Sequence, residues 1–396
     1  MRSHLLAITL SCFAAAAIRC GSSTGSGSTG TPQPDGGGGS SGGGGVDGGG
    51  GGGGGTDGGT ANECDGLGPD QSATSILVTP PSESCGVEAM SDSAGNVALG
   101  HDAELPNAWK WATYDKNGGR LGSLHSREWV TPRSSGFFAV DFIPSNDPPN
   151  DYVRFFTFAP DGSGSSELLG GFLCRANTHL ASAGGAVLIS FCGSGLRSSS
   201  RVVWYDDAGK ANWSTFVDAL PPSNAAGEVG GNVFITAASD SIPGRTAGDL
   251  LGRWIGADGK LAGDWFVLVS GNNAAPVLQS LIGGGVAVMQ NEKWIAVVPA
   301  LGRPQAPPDW LTSRAGKDFR IVRGRKAYAF ASRIIIAPQP QGSNGGPMVE
   351  VVAPSGTSCA TFDTKGTAAT VGGDGSVIAN TDSCTRRVWP GLLGAR

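Results

Sequence analysis

Apolar positions in this chain cluster in short runs that open on a glycine. Seven of them can be aligned: Gly95-Asn-Val97, Gly136-Phe-Phe138, Gly185-Ala-Val187, Gly231-Asn-Val233, Gly285-Val286, Gly324 to Tyr328, and Gly375-Ser-Val377. From Val97 to Val377 is 280 residues over six intervals, about 47 per repeat. Beyond the first 60 residues no window places apolar residues at helical spacing over twelve or more positions, so the pattern predicts strands.

A second landmark keeps the same period. Runs such as Trp111 to Tyr114, Phe156 to Phe158, Trp204-Tyr205 and Trp254-Ile255 each end in a turn sequence, and the turn glycines Gly118, Gly162, Gly209, Gly259, Gly302 and Gly356 step by 43 to 54 residues. Asp and Asn bond their own backbone two residues on and Gly accepts positive φ, so these are hairpin turns. A repeat of this length is one four-stranded blade. The prediction is an all-β chain folded as a β-propeller of seven blades, with six blades and a terminal extension as the alternative. The seventh repeat supplies only two strands before the chain ends, so Ser75 to Thr79, ahead of the first repeat, is expected to complete it and close the ring.

The amino terminus bears on compartment. An apolar stretch from Leu5 to Ile18 is too short to span a bilayer and suits a signal peptide, residues 1–19. Cys20 follows directly and opens a Gly/Ser/Thr run, and this arrangement resembles a bacterial lipoprotein signal. The resemblance implies a lipid-modified Cys20 and an anchored, outer-membrane protein; the alternative is cleavage near Ala14 to Ala17 and a secreted soluble form. Lipidation of Cys20 leaves Cys64, Cys85, Cys174, Cys192, Cys359 and Cys384, an even set suited to three disulfides in an oxidising compartment. Their clustering favours Cys64 with Cys85, Cys174 with Cys192 and Cys359 with Cys384.

Between Gly21 and Thr60, 22 of 40 residues are glycine. Such a tract buries too little apolar area to offset its ordering entropy, so residues 20–62 are read as a lipidated, disordered tether and 63–396 as the propeller. A coil of this length has an end-to-end distance of roughly 35 Å. Gly21 to Gly25 and Gly25 to Gly30 match nucleophile-elbow and dinucleotide patterns, but neither follows a strand or opens a helix, the context each chemistry requires.

No motif points to a metal or a cofactor. His101, His125 and His179 are far apart, and the Asp-Gly turns lack an alternating ladder of calcium ligands. The net charge of −5, with no basic cluster interleaved with aromatics, argues against nucleic acid. Most of the ten tryptophans recur at strand positions and are expected to pack between blades. That leaves His101, Asp102, Trp109 and Trp129 as loop residues that could face a ligand.

Tyr205-Asp206-Asp-Ala-Gly209 with Trp213 resembles the Asp, Gly, Trp repeat of the pyrroloquinoline-quinone type propellers, a class that includes lipid-anchored scaffold proteins. The tether, the absence of a catalytic constellation and the irregular loops at 145–150 and 303–308 favour a non-enzymatic binding or scaffold module of the cell envelope, its partner a protein or a glycan. The alternative is an extracytoplasmic glycan hydrolase or lyase, with paired carboxylates such as Asp102 and Asp141 at the central channel.

Overall fold

The computed structural model describes residues 63–393 apart from 71–72, 81–84, 103–108, 126–129, 144–151, 169–173, 181–184, 195–196, 219–223, 229, 323–326, 333–347, 366–368 and 382–383. The expected signal peptide, Cys20, the glycine tract to residue 62 and Trp129 lie outside the described residues.

Seven small antiparallel sheets follow one another along the chain and form a seven-bladed β-propeller. Blade 1 runs Cys85–Ser91, Val97–Asp102, Trp109–Tyr114 and Arg120–His125; blade 2 runs Val130–Pro132, Phe137–Ile143, Tyr152–Phe158 and Gly164–Leu168. Blade 3 runs Cys174–Leu180, Ala186–Ser194, Arg197–Tyr205 and Ala211–Val217; blade 4 runs Asn224–Gly227, Val233–Ala238, Leu250–Ile255 and Leu261–Val269. Blade 5 has three strands, Val277–Ser280, Val286–Gln290 and Lys293–Val298. Blade 6 runs Lys317–Val322, Ala327–Ser332, Met348–Val352 and Ser358–Asp363, and blade 7 has Ala369–Val371, Val377–Asn380 and Arg386–Trp389. The expected early strand, Ile76–Val78, pairs antiparallel with Arg386–Trp389 as the outer strand of blade 7. The ring is therefore closed by both ends of the chain.

The core explains the glycine-led apolar runs. Seven buried clusters occupy the seven interfaces between neighbouring blades. The second strand of every blade contributes to two of them: Val97 packs toward blade 7 and Ala98 toward blade 2, and Val233 packs toward blade 3 and Phe234 toward blade 5. A strand covered on both faces has no solvent side, so apolar residues run without alternation. The glycine-led strand is thus the second of its blade, not the innermost. The first strands of blades 1 to 6 touch one another in turn, and that of blade 7 touches the first strand of blade 1 and the second strand of blade 6, which places them at the axis.

Blade 5 departs from the repeat. After Val298 a single bridge from Val297 to Gln305 stands where an outer strand would run, followed by the one-turn helix Asp309–Thr312. Leu311, fully buried, packs from this helix into the cluster between blades 5 and 6. Proline at 304, 307 and 308 removes the ladder donors an outer strand needs.

The cysteines pair differently from the expectation. Cys64 is bonded to Cys359, 295 residues away, which excludes Cys64 with Cys85 and Cys359 with Cys384. Ring closure brings the segment before the first strand against the start of the outer strand of blade 6, where Glu63 also accepts a hydrogen bond from Ser355 at 2.6 Å. Cys384 is disulfide-bonded too. Cys174 and Cys192 stand directly opposite each other in the ladder of blade 3.

Candidate functional site

The two faces of the ring are built differently. One carries the turns from first to second strand and from third to fourth, and its acidic groups are occupied with holding those turns. Asp115 accepts from the backbone N–H of Asn117 and Gly119, Asp206 from Ala208 and Lys210, and Asp258 from Lys260, all at 2.7–3.0 Å. Asp92, fully buried, accepts from the N–H of Ala94 and Asn96, from Asn96 Nδ2, and from the N–H of Gly136 in the next blade at 2.6 Å. Burial pushes the Asp92 carboxyl up, and these bonds oppose that push without cancelling it. Asp374 closes the ring in the same way, accepting from Ser91 Oγ of blade 1.

The opposite face carries the loops between second and third strands and between blades. Their lengths vary from two residues at 195–196 and 291–292 to fifteen at 333–347. Its described sector, over blades 4 and 5, is polar. Asp240 and Asn273 are exposed there, and Asp249 accepts from the N–H of Gly271. Asn291 and Glu292 form a two-residue hairpin turn with φ of 50° and 62°, an uncommon conformation for glutamate.

Between the faces runs the axial channel. Aligned on second-strand residues that pack toward the following blade, one residue of each first strand occupies an equivalent rung: Met90, Thr131, His179, Ala226, Gln279, Arg320 and Thr370 pair with Ala98, Phe138, Val187, Phe234, Ala287, Ala329 and Ile378. Arg320 is the one charged residue on this rung, and it is exposed although it sits in the middle of an innermost strand. Its strand contacts the first strand of blade 5 on one side and is hydrogen-bonded to the second strand of its own blade, so the open side faces the axis. Burial lowers the guanidinium pKa, opposed by the charge of Asp318 two residues before it. Glu88, on the first strand of blade 1, has the same character: exposed, with its carboxyl pushed up by burial. Water reaches both groups while protein surrounds them, as expected of side chains inside a channel.

Of the residues expected to face a ligand, His101, Asp102 and Trp109 come together at one end of blade 1. Asp102 stands opposite Trp109 and His101 opposite Lys110 in the ladder, flanking the loop 103–108 on the variable face. The carboxylates weighed as a catalytic pair are on different blades. Asp102 ends the second strand of blade 1, Asp141 lies two residues before the end of the second strand of blade 2, and Asp240 lies in the 3-10 turn Ser239–Ser241 of blade 4. Among the described residues no group of three His, Cys, Asp or Glu side chains is arranged to hold a metal. The tryptophans pack as expected: Trp111, Trp204, Trp254, Trp265 and Trp294 are buried, and Trp213 stacks beside Trp204. The channel residues Glu88 and Arg320 carry no local sequence signal, since their meaning comes from the first strands meeting at the axis.

No protein-family model matches the chain, and no curated protein does. Among solved structures it is similar to BBS1N in complex with ARL6DN, with 16% identity over 76% of this chain and 90% of that one and a TM-score of 0.38. The AfRom2 CNH domain is 10% identical over 79% of this chain and 98% of that one, TM-score 0.38. A prolyl endopeptidase is 12% identical over 73% of this chain and 41% of that one, TM-score 0.39.

Proposed function

We propose that this protein is a lipid-tethered binding module of the cell envelope, holding a protein or glycan partner on the face that carries the irregular loops. The observation that carries the reading is the asymmetry of the two faces. The turn face spends its carboxylates on its own backbone and on the neighbouring blade, as Asp92 does with Gly136, whereas the loop face varies in length from blade to blade and exposes polar groups. Irregular surface loops positioned by a rigid scaffold are where binding residues accumulate.

Lipid modification at Cys20 follows from the signal-like sequence and is tested by metabolic labelling with a fatty acid: the wild-type chain is labelled and Cys20→Ser is not.

The partner face is tested by photo-crosslinking in intact envelopes. A crosslinker at exposed Asp240 or Asn273 on the loop face is expected to give discrete adducts, and one at exposed Asn117 or Asp258 on the turn face is not. Adducts confined to the turn-face positions would overturn the assignment.

A further inference from the structure

The rung of the channel that carries Arg320 is a set of donors with one cation. Gln279 and Thr370 share its level on the first strands of blades 5 and 7. Each brings a group able to donate a hydrogen bond, and neither brings a negative charge. Among the described residues Arg320 makes no hydrogen bond or ion pair, and the charge of Asp318, on the same strand, acts on it. Just before blade 6 a buried guanidinium is paired: Arg314 makes a bidentate pair with Glu350 at 2.6 and 3.1 Å and also donates to the carbonyl of Trp310.

A guanidinium that structure alone required would be matched in this way, because leaving its five donors unpaired in a confined space costs free energy. The equivalent rung positions Thr131, Ala226 and Thr370 show that the ring closes without a cation there. Arg320 is therefore dispensable to the architecture, and its fork is open toward the channel. Planar guanidinium recognises carboxylate or phosphate oxygens through two parallel hydrogen bonds.

We propose that the axial channel binds a small oxyanion, a carboxylate or phosphate group, at Arg320, with the hydroxyl and amide donors of its rung completing the site. The site is separate from the loop face and stands whichever partner that face holds.

The test is thermal unfolding of the purified full chain titrated with sodium phosphate or sodium acetate, against sodium chloride at matched ionic strength. The wild-type midpoint is expected to rise saturably with one of the two anions beyond the chloride control, and the anion that acts tells phosphate from carboxylate. Arg320→Thr, which copies blades 2 and 7, is expected to unfold cooperatively and to weaken the anion effect about tenfold or more. Arg320→Lys keeps the charge without the fork and should retain only part of it, so a reading remains even if the threonine variant folds poorly. An equal rise in wild type and both variants, or no saturable rise in the wild type with either anion, would overturn the proposal.

Discussion

Gly259, in the turn of blade 4, lies against Trp213 on the outer strand of blade 3, so close that a β-carbon on residue 259 would stand 2.9 Å from that of Trp213. Its φ of +78° is a conformation that side chains disfavour. The turn glycine thus serves twice, reversing its own hairpin and seating it on the preceding blade. Gly356 repeats the relationship against Trp310, and Gly209 against Thr157.

Replacing Gly259 by alanine should therefore cost more than backbone strain alone, about 2–4 kcal/mol in all. Gly263→Ala is the control: its φ is +69°, but open space surrounds it. That variant should lose about 1 kcal/mol. Denaturant unfolding of the two separates contact from strain, and equal losses would mean that the blade contact contributes nothing.

Glu350 is the partner of Arg314, and their side chains are only 15% and 10% exposed. Burial raises the Glu350 pKa, but hydrogen bonds from Arg314 and Ser358, with the charges of Arg314 and Lys317, outweigh it and hold the carboxyl below 4.5. A depressed folded pKa contributes stability that is complete above the unfolded value and lost as pH falls through the folded one. Glu350→Gln should lower stability at pH 7 by about 3 kcal/mol, since it strands a buried guanidinium. The difference from wild type should shrink below pH 4.5; a constant gap down to pH 3 would remove the ion pair as its cause.

Asp92 has the opposite sign. Its folded pKa lies above 3.8 because burial outweighs four hydrogen bonds, so its relative contribution is greatest below 3.8 and falls as pH rises through the folded value. Asp92→Asn nonetheless should destabilise at neutral pH by about 1–3 kcal/mol, because an amide NH₂ would face an N–H donor at one of the carboxylate positions. Chemical denaturation at pH 7 checks this, and a neutral or stabilising variant would show that the charge itself is the larger burden.

The Cys64–Cys359 bond ties the entry of the chain to blade 6. Cys64→Ser should lower the stability of the oxidised protein by about 2–4 kcal/mol. Non-reducing peptide mapping should recover residues 64 and 359 in one cross-linked species. Recovery of Cys64 with Cys85 instead would refute the pairing.

The second and third strands of each blade were legible in the sequence because they are buried on both faces, or end in turns that demand Asp and Gly, as Val97 to Leu99 and Tyr205 to Gly209 do. The first and outer strands were not. Val130–Pro132 and Asn224–Gly227 are short and unpatterned, and Gly164–Leu168 is exposed at every position. Such strands are held by neighbours already in place, so their own residues need little hydrophobic signal.

The sequence by itself determined the repeat, favoured seven blades over six, and pointed to the closure by Ile76–Val78 and the tryptophan core, because period and apolar pattern are local properties that repetition reinforces. Only the tertiary structure decided that Cys64 meets Cys359, that blade 5 replaces its outer strand with a helix against Arg314 and Glu350, and that Glu88 and Arg320 look into one channel. Each of these joins residues far apart in the chain through the closing of a ring, and no local pattern encodes a partner that closure alone brings near.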